Sequence, residues 1–161
     1  MRERVVRVAD WAVDAGDVVL VTLGLGSCVA VALYDGQARA GALVHLLLPS
    51  PTLARDRSNP ARFPGTAVPL LLEELAKVGA QRARLTARLI GGASMFGPGS
   101  GSGGGAGMGE RNVAAAREVL AAARIPVTGE EVARHHGRSV YFFLADGRIE
   151  VRTVARGTVV L

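Results

Sequence analysis

The chain has one cysteine in 161 residues, Cys28, so it cannot close an internal disulfide. Reducing surroundings are the expectation, and the core must form without cross-links. Aromatic side chains make up 4% of residues, too few for a platform that stacks nucleotide bases. Lysine is nearly absent: Lys77 stands against 18 arginines. Those arginines are scattered along the chain instead of forming a block. A net charge of +5 and a pI near 10.6 therefore do not mark a nucleic-acid binder. A basic surface suits an acidic protein partner instead. No apolar run approaches the roughly 20 residues of a membrane span. The charged start Met1-Arg2-Glu3-Arg4 offers no secretory hydrophobic stretch. The expectation is one domain over residues 1–161, cytoplasmic, monomeric and without membrane insertion.

What the chain does have is alternation between Val/Leu-rich runs and two helical stretches. Residues 5–8, 18–23, 29–34 and 38–48 read as strands, with Asp35-Gly36 as a hairpin turn. A proline-rich loop follows over residues 50–65. Residues 66–78 carry Val68, Leu71, Leu72 and Leu75 at helical spacing. Residues 85–90 read as a strand, 91–109 as a loop and 110–123 as an alanine-rich helix. Three closing strands are expected at 125–132, 140–144 and 148–154, the last two joined by Asp146-Gly147. This order predicts an α+β layered sandwich with a mostly antiparallel sheet and two main helices.

Cys28 lies in Gly24-Leu25-Gly26-Ser27-Cys28, a glycine turn between two strand runs, and His45 closes the next hairpin. With a two-residue loop Cys28 faces Leu43, and His45 is its same-face diagonal neighbour at roughly 7–8 Å. A four-residue loop puts Cys28 directly opposite His45, whereas a three-residue loop separates their faces. A free thiol is mostly protonated at neutral pH; a neighbouring imidazolium lowers its pKa to give a thiolate and stores the proton for a leaving group. The turn glycines Gly24 and Gly26 let backbone N–H groups around Ser27 and Cys28 face a developing oxyanion. Thr22, near the end of the preceding strand, either orients the imidazole through its hydroxyl or is an ordinary strand former. From the residues alone, two readings stay open. Cys28 is either a nucleophile or a small buried apolar side chain, and His45 is either its base or a hydrogen-bonded core residue.

The ordered segments Val21-Thr22-Leu23-Gly24-Leu25-Gly26-Ser27-Cys28, His45-Leu46-Leu47-Leu48-Pro49, Gly91-Gly92-Ala93-Ser94-Met95-Phe96, Gly109-Glu110-Arg111-Asn112 and Gly137-Arg138-Ser139-Val140 resemble the CheD family. These are the chemoreceptor glutamine deamidases of bacterial chemotaxis. The resemblance runs from about Arg7 to Val154. It implies hydrolysis of selected glutamine side chains on the chemoreceptor cytoplasmic domain, giving glutamate and ammonia. The implied nucleophile is Cys28, the base His45 and the third polar member Thr22. Gly26, Ser27, Gly91, Gly92 and Ser94 are the substrate-binding or oxyanion candidates. The family fold is an α/β layered sandwich, no metal or organic cofactor is implied, and many members bind a CheC-like phosphatase.

The chain departs from the family pattern in three places. Val132-Ala133-Arg134-His135-His136 stands where paired glycines and an asparagine are common. Gly65 stands where a helix-capping aspartate is frequent, and the loop at 97–109 is longer and richer in glycine. A G-x-G-x-x-G match at Gly99, Gly101 and Gly104 lies too far from its strand for a dinucleotide site. His135-His136 lacks accompanying ligands for a metal. Besides the deamidase, two functions compete: an adaptor for a CheC-like phosphatase, and a receptor methylesterase using the same dyad.

Overall fold

The computed structural model describes residues 1–94 and 107–161. The dinucleotide-like match at Gly99, Gly101 and Gly104 lies outside them. Among the described residues, ten strands and two main helices follow in chain order. The strands are β1 (Arg2–Val5), β2 (Trp11–Ala15), β3 (Val18–Leu25), β4 (Val29–Asp35), β5 (Ala40–Leu46), β6 (Thr86–Gly91), β7 (Val127–Val132), β8 (Arg138–Phe143), β9 (Ile149–Thr153) and β10 (Gly157–Val160). The helices α1 (Pro64–Lys77) and α2 (Met108–Ala122) flank β6.

The strands form two five-stranded sheets, ordered β1-β3-β8-β9-β10 and β2-β5-β4-β6-β7. Among the described residues, only β1–β3 and β6–β7 pair in parallel, and the other pairs are antiparallel. The result is an α+β sandwich of three layers: helices, the second sheet, and the first sheet. β4 and β5 lie in the middle layer and bury both faces. Val29, Val31, Val44 and Leu46 pack toward Val68, Leu71, Val113 and Leu120 of the helices. Ala30, Ala32 and Leu43 meet Leu20, Val140 and Phe142 of the first sheet. Burial on both sides explains why these strands read as continuous apolar runs instead of alternating ones.

Several boundaries differ from the sequence expectation. The first strand is β1 at residues 2–5, and residues 6–10 turn away to reach β2. β2 was not expected because Trp11-Ala12-Val13 is a short apolar run between Asp10 and Asp14. β10 is exposed along its whole length and has no buried face to leave a pattern. The β4–β5 loop has four residues, but it begins one residue later than expected, with Asp35 paired to Ala40. Pro64 occupies the first turn of α1 and Phe63 is the cap, so Gly65 sits inside the helix and not at its cap. Ala133 (φ +64°) and Arg134 (φ +62°) are both left-handed, the conformation that glycine adopts without strain.

The loop after β4 is pinned by Asp35, which is fully buried. Its carboxylate accepts from the N–H groups of Gln37 (3.0 Å), Ala38 (3.2 Å) and Gln81 (2.8 Å), and it pairs with Arg84 at 2.8 Å. Burial alone would raise its pKa. The Arg84 guanidinium and the backbone donors outweigh burial and bring it from 3.8 to about 2. A lowered folded pKa gives stability that is present above 3.8 and lost as pH falls through about 2, on the order of 2 kcal/mol. Asp35→Asn should lower the urea-unfolding free energy at neutral pH by about that amount. It should also flatten the acid dependence in that window; an unchanged slope would contradict the assignment.

Candidate active site

β3 does not run straight into the turn that carries Cys28. Its register against β8 shifts between Thr22 and Leu25, and Gly24 takes φ +70°. This bulge leaves Leu23 exposed while Thr22 and Leu25 both stay buried. In the turn that follows, successive carbonyls are held from one side. Gly26 C=O accepts from Ala93 N–H at 2.9 Å, Ser27 C=O from Asn112 Nδ2 at 2.9 Å, and Cys28 C=O from Gly92 N–H at 2.8 Å. Each peptide's N–H points opposite to its C=O, so the N–H groups of Ser27 and Cys28 face the other way. Neither donates a backbone hydrogen bond among the described residues.

Gly91 makes this approach possible. At φ +108°, a Cβ there would lie 2.4 Å from Cys28 O. Among the sequence candidates, Gly26 and Ser27 therefore present the turn. Gly91 lets β6 close against it and Gly92 braces it from behind. Gly92 N–H is committed to Cys28 O and Ser94 N–H to Arg134 O, so neither amide is available to a substrate oxygen.

Cys28 ends up on the face of His45, as the register argument required. Ala30 stands opposite His45, and Cys28 precedes it by two residues on the same face of the second sheet. The relation is the diagonal one, reached through a four-residue loop displaced by one position.

His45 is fully buried, and its imidazole reaches across the sandwich to the first sheet. Thr22 Oγ1 lies 2.8 Å from His45 Nδ1 and 2.6 Å from the Val6 carbonyl oxygen. A hydroxyl has one proton, and a carbonyl can only accept it. The proton therefore goes to Val6, and the contact to the ring must be donated by Nδ1–H. Nε2 is left unprotonated, buried, and without a hydrogen-bond partner among the described residues. Val6 enters this relay through its backbone, so no residue type could have announced it in the sequence.

Burial governs the charges. It raises the Cys28 thiol pKa above its ordinary value, only partly opposed by the residue's own N–H. It lowers that of His45 from 6.5 to about 4. The resting pair is thus a neutral thiol and a neutral imidazole, not the imidazolium-activated thiolate that the residue types suggested. Among the described residues no group of His, Cys, Asp and Glu could hold a metal. His135 and His136 sit in the loop after β7, with His135 Nδ1 3.1 Å from Ser94 O. A cavity of about 740 Å³ lies between α1 and α2, lined by Val68, Leu72, Leu75 and Val119. It contains none of the polar residues just described.

The relay predicts a stability signature. An unfolded imidazole protonates near 6.5 and the folded one near 4, so between these values the unfolded state binds more protons. Stability present above 6.5 should fall toward pH 4, by on the order of 3 kcal/mol, and His45→Gln should remove that slope. Thr22→Val should cost about 2 kcal/mol and show mixed His45 tautomers by ¹⁵N NMR. Thr22→Ser should retain the single tautomer.

Comparison with known proteins gives the family. Residues 47–153 match the family described as CheD chemotactic sensory transduction. A protein of Caldanaerobacter subterraneus subsp. tengcongensis, named probable chemoreceptor glutamine deamidase CheD, is 40% identical over 159 residues, covering 98% of each chain. One of Geobacter metallireducens, named probable chemoreceptor glutamine deamidase CheD 2, is 47% identical over 150 residues, covering 92% of each. A namesake of the first in Pyrococcus horikoshii is 38% identical over 160 residues, covering 99% of this chain and 98% of its own. A match over more than half the sequence, joined to identity along nearly its full length, leaves one conclusion: the chain belongs to the CheD family.

Proposed function

We propose that this protein hydrolyses the side-chain amide of selected glutamines on the cytoplasmic helices of chemoreceptors, with Cys28 as nucleophile and His45 as general acid and base. The observation that carries the proposal is the Val6–Thr22–His45 relay, which presents an unprotonated Nε2 on the face shared with Cys28. The names of the relatives supply the substrate class.

The neutral pair dictates the order of events. As Cys28 Sγ bonds to the carboxamide carbon, His45 Nε2 takes the thiol proton, so charge separates only when substrate is bound. The carbonyl π pair moves to oxygen, and the N–H groups of Ser27 and Cys28 receive the oxyanion. Such a donor is worth about 10²–10³ in rate. When the carbonyl reforms, the C–N bond breaks, and the nitrogen leaves with the Nε2 proton as ammonia. A thioester remains. Nε2 then removes a proton from water as it attacks the thioester, and the C–S bond breaks. The glutamate side chain is released and the thiol regains its proton. Throughout the cycle Thr22 accepts from Nδ1–H, so the ring keeps its orientation whether Nε2 is protonated or not. The substrate is the partner of this site; a monomer acting on a receptor helix suffices.

Peptide mass spectrometry of a receptor cytoplasmic fragment tests the proposal. The wild-type protein should convert defined glutamines to glutamate, and Cys28→Ala should lose at least about 10⁴-fold in rate while keeping its fold. Conversion by the alanine variant would overturn the nucleophile. Absence of conversion by either folded protein would favour the adaptor role, and methanol release from a methylated fragment the esterase. The pH profile of kcat/KM supplies a second check: its acid limb should fall near the folded imidazole value of about 4, and a limb near 6.5 would refute the neutral resting pair.

A further inference from the structure

The β4–β5 ladder stops where the chemistry begins. Its last pair is Val29 with Leu46, and beyond it the two strands part. Leu47 N–H donates to Arg62 O at 3.0 Å, while Cys28 C=O turns to Gly92 N–H at 2.8 Å. The thiol is thus one residue past the end of the ladder on its strand, and the base one residue short of the end on the other. Nothing in the ladder itself holds these frayed ends at a fixed separation.

A side chain from the helix layer spans the gap. Asn112, in the second turn of α2, is 1% exposed. Its Nδ2 donates to Ser27 O at 2.9 Å and to Leu47 O at 3.2 Å. Ser27 is the residue before Cys28, and Leu47 lies two residues after His45. Both partners are carbonyls, which settles the orientation of the amide: a flipped group would set Oδ1 against two acceptors.

The anchor of this side chain is itself fixed. Gly109, three residues earlier, lies so close to the β6 extension that a Cβ there would meet Gly92 O and Ala93 O at 2.4 Å. Those residues hold the Cys28 and Gly26 carbonyls. Asn112 Oδ1 is buried without a partner among the described residues, a cost that its two hydrogen bonds must offset. Packing between α2 and the sheet would be served as well by an apolar residue. Only a group with two N–H donors can tie both chain ends at once.

We propose that Asn112 is a positioning residue that sets the spacing between the Cys28 turn and the His45 strand by bridging Ser27 and Leu47. The proposal rests on Cys28 and His45 being the reacting pair. Nucleophile and base must meet within a few tenths of an ångström, and misplacement by about 1 Å costs about 10²-fold.

The test uses alkylation of Cys28 by iodoacetamide as a function of pH, a clean signal because the chain has no other thiol. Asn112→Ala is compared with wild type, with His45→Gln, and with Leu120→Ala, which opens a cavity elsewhere on α2 without touching Ser27 or Leu47. Asn112→Ala should shift the alkylation profile toward that of His45→Gln and lower kcat for deamidation about 10²-fold, with KM within about twofold. Leu120→Ala should lose stability and keep the wild-type profile. Asn112→Ser, which retains one donor, should fall between wild type and alanine, and carries the comparison if alanine does not fold.

A wild-type profile in Asn112→Ala beside an altered one in His45→Gln overturns this proposal alone. An unaltered profile in His45→Gln overturns the base assignment and this proposal with it. An equal shift in Leu120→Ala, or failure of both Asn112 variants to fold, makes Asn112 a stability element and refutes the positioning role.

Discussion

The hydrogen bond between Thr22 and His45 crosses the interior of a sandwich whose other inward residues are almost all apolar. A polar pair in that setting survives only if each proton has a destination and each lone pair has either a partner or a purpose. Val6 provides the destination. The lone pair left over, on Nε2, is the one the proposed chemistry needs. The bond also ties the two sheets together, so the proposed base is oriented by a contact that joins the layers of the fold. Sheet packing and catalytic orientation are therefore one constraint.

The glycines at the β6 terminus show how sterics serve the same end. Gly91 and Gly92 allow a strand, a turn and a helix N-terminus to approach more closely than any side chain would permit. The hydrogen bonds to Gly26 and Cys28 exist because that space is empty. The turn is held by hydrogen bonds from backbone N–H groups and from the Asn112 amide, which suits a site where the N–H groups must be aimed.

The central strands, both helices and the closing hairpin at Asp146-Gly147 were legible because burial imposed their patterns. β2 and β10 were not legible, since one is a short run between aspartates and the other has no buried residue. Cys28, His45 and Thr22 could be grouped from turn chemistry and strand parity, which survives a loop displaced by one residue because the pairing sum changes by an even number. The protonation state of the pair was misread. Residue types suggest an ion pair, but the depth of His45 in the core decides the matter, and depth is a tertiary property. The commitment of Gly92 and Ser94 N–H was equally hidden, because backbone partners leave no trace in composition.

The neutral resting state has a meaning outside the catalytic cycle. Peroxide and other cellular oxidants attack thiolates far faster than thiols, so exposed low-pKa cysteines drift toward sulfenic acid and beyond. Cys28 is half-buried, its pKa is raised, and its base is uncharged until a carbonyl arrives. The arrangement gives up resting nucleophilicity and gains chemical endurance: a thiol serving as the proposed nucleophile would age slowly between substrates.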